Sequence, residues 1–223
     1  MHLNLTDAFT AKDVPERLRE EHVKLTRYLR KGRRGMLVAN PLLTGAFEYV
    51  VKAQLEEFER MYGAKPRHID GHHHIHLCAN VRGRKLLPEG TTVRRNFTFV
   101  AGEKSWLNRR VRAFQDRQLA RRHAMADYFF NLAPMDEARL RRLLELARSG
   151  NVEIECHPER DAEYEFLMND GLARLGYTVT VTRGYRLRGS HTPIRRAQLK
   201  GAVKAPPQAD RLLTMLNKYH MKP

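Results

Sequence analysis

Acidic residues are scarce in this chain: 25 Asp and Glu stand against 41 Lys and Arg, for a formal net charge of +16. An acidic, solvating chain is therefore excluded, and a basic surface is expected. Aromatic residues are few, at 8%, and are not interleaved with the basic runs as a base-stacking platform requires. Nucleic acid is accordingly not the expected partner. Cysteine is nearly absent: Cys78 and Cys156 are too few and too far apart for a disulfide framework, which fits a reducing cytoplasm. No apolar run approaches the roughly 18 residues of a membrane span. The first residues lack a basic segment followed by an apolar stretch, so no secretory signal is expected.

What remains is a soluble composition with a real core. Hydrophobic residues make up 42% of 223 positions, enough for one sizeable α/β domain. Strand patterns at His2–Thr6, Pro66–Asp70, Thr91–Arg94, Ala126–Phe130 and Val152–Cys156 alternate with helical periodicity. Helices are predicted from Asp13 to about Lys31, from Leu43 to Tyr62, from Trp106 to Arg122 and from Asp136 to Arg148. Asp13 reads as a cap with Pro15 in the first turn, and Gly63 as a stop. Trp106, Leu107, Val111, Phe114 and Leu119 read as a core face. A further strand at Thr178–Thr182 and a short helix near Ala209–Tyr219 are expected. The chain thus divides into an α/β domain over residues 1–187 and a basic tail over 188–223. Such strand–helix alternation predicts mostly parallel strands, with the chemistry at their carboxyl ends.

The densest chemistry lies at one of those ends. His68-Ile69-Asp70-Gly71-His72-His73-His74-Ile75-His76 holds five of eleven histidines in nine residues. Imidazole is a metal ligand and an acid or base near neutral pH. Beyond the strand end, Asp70, His72 and His74 share one parity. His2 and His157 lie at two other predicted strands. A metal ion held by such residues polarises a carbonyl and acidifies a water, while an acid such as His157 protonates the leaving amine.

Three motifs resemble the YdjC-like carbohydrate deacetylases, which include chitooligosaccharide deacetylases and relatives from hopanoid biosynthesis. They are His2-Leu3-Asn4-Leu5-Thr6, Lys65-Pro66-Arg67-His68-Ile69-Asp70-Gly71-His72-His73-His74-Ile75-His76, and Val152-Glu153-Ile154-Glu155-Cys156-His157-Pro158. The resemblance implies an irregular (β/α) barrel of the polysaccharide-deacetylase type. It implies removal of acetyl groups from N-acetylated sugars, with a divalent metal, magnesium first and zinc as the alternative. It makes His2 and His72 metal ligands, His157 and Asp70 catalytic residues, and His74 and Arg94 substrate contacts. A homodimer is expected on the same ground.

Members of that family begin with an Asp-Asp strand that supplies an aspartate ligand and a carboxylate base. Here Met1 directly precedes His2, so the expectation is a barrel lacking its first strand. Two alternative readings follow from the residues. Asp70, His72 and His74 also fit the Asp-x-His-x-His pattern of an amidohydrolase-type metal hydrolase. The net charge also suits a non-catalytic basic binding protein.

Overall fold

The computed structural model describes residues 1–32, 34–99 and 102–177. Within them the chain is a mixed α/β protein with parallel sheets. A three-stranded sheet orders β1 (His2–Leu3), β2 (His68–Gly71) and β3 (Thr92–Val93) side by side. His2 pairs with Asp70 and His68 with Thr92. A second, two-stranded sheet joins β4 (Tyr128–Asn131) to β5 (Val152–Glu155), also in parallel. The two sheets connect where Val93 N–H donates to the Ala124 carbonyl at 2.8 Å and Thr98 N–H to the Phe129 carbonyl at 2.8 Å. Pairing therefore runs in chain order, and each sheet presents its carboxyl ends towards residues that follow β2, β3 and β5.

Helices cover these sheets. α1 (Glu16–Arg30) and α3 (Thr44–Tyr62) pack on the first sheet, burying Leu25, Phe47, Val50 and Val51 against Leu3, Leu5, Ile69 and Val93. Gly63 ends α3 at φ 64°, a left-handed conformation that favours glycine. α1 begins without the expected Asp13 cap; Pro15 flanks it and no side chain caps it. Between them lie the short α2 (Arg34–Leu37) and a 3₁₀ turn at Pro41–Leu43. α4 (Ala79–Gly83) follows β2, and α5 (Trp106–Leu119) follows β3. α6 (Glu137–Leu146) packs on the second sheet through Leu140, Leu143 and Leu144, and Asp136 caps it by accepting from Arg139 N–H at 2.8 Å. α7 (Asp161–Met168) and α8 (Gly171–Arg174) close the described chain.

Two sequence expectations are corrected. The predicted core face of α5 points outward: Trp106, Leu107 and Phe114 are 62%, 63% and 57% exposed. Of the expected face only Leu119 is fully buried, and it is joined on the inward side by Gln115 and Asp116. Asp116 accepts from Arg95 at 3.0 Å and from the Asn96 backbone at 3.0 Å, a polar anchor that hydrophobic periodicity does not register. The histidine tract also does not continue as a strand. β2 stops at Gly71, and His72–Leu77 curl into a 3₁₀ segment with His73 at φ 51° and His74 at φ 57°. The shared parity of Asp70, His72 and His74 ends there. The strand expected at Thr178–Thr182 and the tail over 188–223 lie outside the described residues.

Candidate active site

Parallel register sets the first contact. Because His2 and Asp70 are partners on neighbouring strands, their side chains share a face. His2 Nδ1 lies 3.0 Å from Asp70 Oδ1. The other carboxylate oxygen, Oδ2, meets Arg94 Nη1 at 2.8 Å. Arg94 emerges just past β3 and reaches across the sheet. Its Nε donates to Glu153 at 2.7 Å and its Nη1 to Glu155 at 2.7 Å. Glu153 and Glu155 alternate along β5, so both project to the same side. One arginine therefore ties β2, β3 and β5 together beneath the histidines.

Burial opposes the charge on Asp70, yet the His2 bond and the Arg94 guanidinium hold its carboxyl well below the usual carboxylate range. Burial likewise opposes the charge on Arg94, and Asp70 and Glu153 more than offset it.

His72 stands beside His2. Its Nδ1 is 3.4 Å from His2 Nε2. Its far nitrogen, Nε2, lies 2.5 Å from Asp7 Oδ2, and Asp7 Oδ1 in turn meets Arg30 Nη2 at 2.5 Å. Burial and the neighbouring His73 push the His72 imidazole down, against the pull of Asp7. His73 points to Thr6, with Nδ1 3.2 Å from the hydroxyl. His74 turns away from this group and sits edge-on to Phe97 at 4.7 Å and to Phe129 at 5.8 Å. Burial and the charge of Arg94 push its imidazole down to about 4. The Asp-x-His-x-His arrangement of the amidohydrolase reading is therefore not assembled.

His157 lies just beyond β5. Its backbone N–H donates to Glu163 at 2.8 Å, and its Nδ1 is 3.5 Å from the same carboxylate. Glu163 is buried and also accepts from Arg160 at 2.9 Å. The structure thus joins His2, Asp70, Arg94 and His72 through direct contacts. His74 forms a neighbouring wall, and His157 belongs to a separate pair with Glu163.

A family model described as YdjC-like protein matches residues 1–182. The chain belongs to the YdjC-like family. This family is carbohydrate-deacetylase-like, in agreement with the three motifs. No curated protein matches the chain. No helix among the described residues of this YdjC-like chain is long and apolar enough to cross a membrane.

The site of this YdjC-like chain suits a cation by its donor chemistry. A carboxylate only accepts at neutral pH, so Asp70 and Asp7 place the protons on His2 Nδ1 and His72 Nε2. With both rings neutral, the two inner nitrogens face each other without a proton between them. Nitrogens about 2.0–2.1 Å from one tetrahedral ion stand roughly 3.3–3.4 Å apart. The observed 3.4 Å matches that spacing. Asp7, His72 and His73 also gather donors within 4.8 Å. The 2.5 Å between Asp7 and His72, however, is a hydrogen-bond distance and too close for two donors of one ion. Asp7, Glu153, Glu155 and Glu163 were not singled out from sequence. The same-parity glutamates on a predicted strand were the available signal for two of them.

Proposed function

We propose that the chain is a metal-dependent hydrolase that removes the acetyl group from an N-acetylated sugar, either a chitooligosaccharide or a glycolipid headgroup. One observation carries the metal: the inner nitrogens of His2 and His72 face each other at 3.4 Å, each ring held from behind by a carboxylate. The substrate class rests on membership of a carbohydrate-deacetylase-like family. Parallel strands paired in chain order suit an arc of the irregular (β/α) barrel, with the site at their carboxyl ends.

His2 and His72 would hold the ion. Two imidazoles favour a borderline ion such as zinc over magnesium, which prefers oxygen ligands. When bound, the ion supplies Lewis-acid polarisation of the acetyl carbonyl and a more acidic water. The chain's own groups do the rest. Asp70 and Asp7 fix the ring tautomers that leave the inner nitrogens bare. Arg94 keeps Asp70 ionised and in place while Glu153 and Glu155 hold Arg94. Asp70 and Arg94 therefore act as positioning residues in this reading. His157, steadied by Glu163, protonates the leaving amine nitrogen through Nε2. His74 and Phe97, the latter stacked on the buried Phe129, offer an apolar wall to the acetyl methyl or a sugar face.

The experiment is acetate release from acetylated chitooligosaccharides by protein stripped with a chelator and reloaded with zinc or magnesium. Release that returns with metal and is lost in His72→Ala is expected. The reading fails if no divalent ion restores release from any acetylated sugar.

A further inference from the structure

At the opposite end of the strands lies a cavity. Gly90 N–H donates to the Arg122 carbonyl at 2.9 Å, and Thr91 Oγ1 lies 3.3 Å from His123 Nδ1, both just before β3 begins. Arg94, at the far end of the same strand, belongs to the histidine site. The cavity here encloses about 300 Å³ between α4, the connection after it and the carboxyl end of α5. That volume sits at the small end of ligand pockets.

Its lining is the notable part. Arg82, Lys85, Arg121 and Arg122 contribute four cations, and no carboxylate among the described residues lines it. Val81, Leu87 and Leu119 supply an apolar floor. Burial pushes the His123 imidazole down, so the charge comes from the arginines and Lys85. Arg82 is already engaged: its Nε donates to the Leu77 carbonyl at 2.8 Å and its Nη1 to Gln118. Arg122 Nη2 meets Glu89 at 3.0 Å, but that carboxylate is largely exposed and weakly compensating. Arg122 Nη1 is buried and has no hydrogen-bond partner among the described residues. A buried guanidinium nitrogen without an acceptor is costly, and it marks this corner of the fold as short of acceptors.

We propose that this cavity binds the phosphate group of a small soluble phosphate ester, at a site separate from the histidine centre and independent of the hydrolase reading. Arg122 and Arg121 offer donors matched to phosphate oxygens, and Lys85 adds a point charge. Val81, Leu87 and Leu119 would take the apolar part of the ester. A merely basic surface would spread its charge instead of converging four cations on one concavity.

Calorimetric titration of the full chain with inorganic phosphate, pyrophosphate and glucose 6-phosphate tests this at about 150 mM salt, where surface attraction is screened beyond roughly 8 Å. Saturable one-site binding is expected. It should weaken at least tenfold in Lys85→Ala/Arg121→Ala, both exposed positions, and stay unchanged in the charge-matched Lys12→Ala/Lys31→Ala. Binding of inorganic phosphate alone, with no gain from the ester, would reduce the site to one for a free anion and overturn the ester. Equal loss in both double variants, or binding that never saturates, would overturn the site altogether. Should the cavity variant fail to fold, amide shift mapping on the unaltered protein decides. Shifts confined to Gly83, Gly90 and His123 support the site, and shifts elsewhere overturn it.

Discussion

At its outer end the histidine tract presents half-exposed His72 to Asp7 and His2, with a bare nitrogen facing another. Four residues on, His76 is fully buried and donates Nε2–H to the Arg94 carbonyl at 2.8 Å. A carbonyl only accepts, so His76 Nδ1 is the bare atom, and it has no partner among the described residues. Burial pushes this imidazole down to about 3. The left-handed residues His73 and His74 separate the two ends. They reverse the chain so that one end reaches the strand-end cleft and the other plugs the core beneath Arg94. Histidine density alone therefore does not count ligands; backbone path and burial assign each ring.

The contrast predicts a swap of phenotypes. His72→Ala should weaken zinc binding at least a hundredfold, measured by competition with a fluorescent chelator, and abolish acetate release. The metal-free protein should melt within about 2 °C of the parent, because the removed ring is partly solvated. His76→Ala should lower stability by roughly 2–4 kcal/mol, or about 5–10 °C, since it opens a cavity and strands the Arg94 carbonyl. Thermal melts of both variants without metal would break the contrast if His72→Ala proved the less stable.

Gly71 sharpens the comparison at the hinge between the ends. It is extended, at φ −148°, so its need is space and not conformation. A Cβ there would stand 2.9 Å from the His76 backbone nitrogen and 3.0 Å from its Nδ1. Gly71→Ala should therefore cost about 1–3 kcal/mol in denaturant unfolding. An unchanged midpoint would mean that the buried end is looser than its contacts imply.

Much of this frame was legible in sequence. Period-two stretches located β2, β4 and β5 within a few residues, and Gly63 marked a helix end by known chemistry. His2 and Asp70 were both singled out, and parallel pairing brings them together. The path of the tract was not legible, because two non-glycine residues adopt positive φ where extended parity was assumed. Nor was Asp7, which lies two residues past the buried Leu5 in a loop tied by Asn4: Asn4 Oδ1 accepts from Asp7 N–H at 2.9 Å. Loop geometry of that kind has no period to read. The helix α5 and its buried Leu119 were legible, but Trp106, Leu107 and Phe114 were placed inward because the polar Asp116 network that holds the buried side carries no hydrophobic signal.

Asp7 gives a smaller test of the outer end. Asp7→Asn preserves shape but lets the amide donate to His72 Nε2, which would move the ring proton to Nδ1 and cover the bare nitrogen. Zinc affinity should fall roughly 10-fold, with the outer-shell effect typical of such partners. Nitrogen-15 spectra of the imidazole should report the tautomer change directly, and an unchanged tautomer with unchanged affinity would remove Asp7 from the site.

The smallest expected effect is a pH slope from the inner end. Above the ordinary value of 6.5, His76 is neutral in both folded and unfolded chains, and its contribution is complete. As pH falls below 6.5, the unfolded chain takes up the proton while the folded one refuses it down to about 3, so stability declines across that window. The Arg94 carbonyl, which accepts from Nε2, and the Asp70 carboxylate oppose the shift, while the His74 ring and the Arg94 guanidinium reinforce it. His76→Gln keeps a donor for the Arg94 carbonyl but cannot titrate. Its melting temperature should therefore start lower than the parent's at pH 7.5 and fall less steeply towards pH 4.5. The other depressed histidines, His22, His68, His72, His74 and His123, are common to both proteins and cancel in the difference. Parallel curves would show that the His76 proton is accommodated within the fold, and the distinction between the two ends of the tract would then rest on contacts alone.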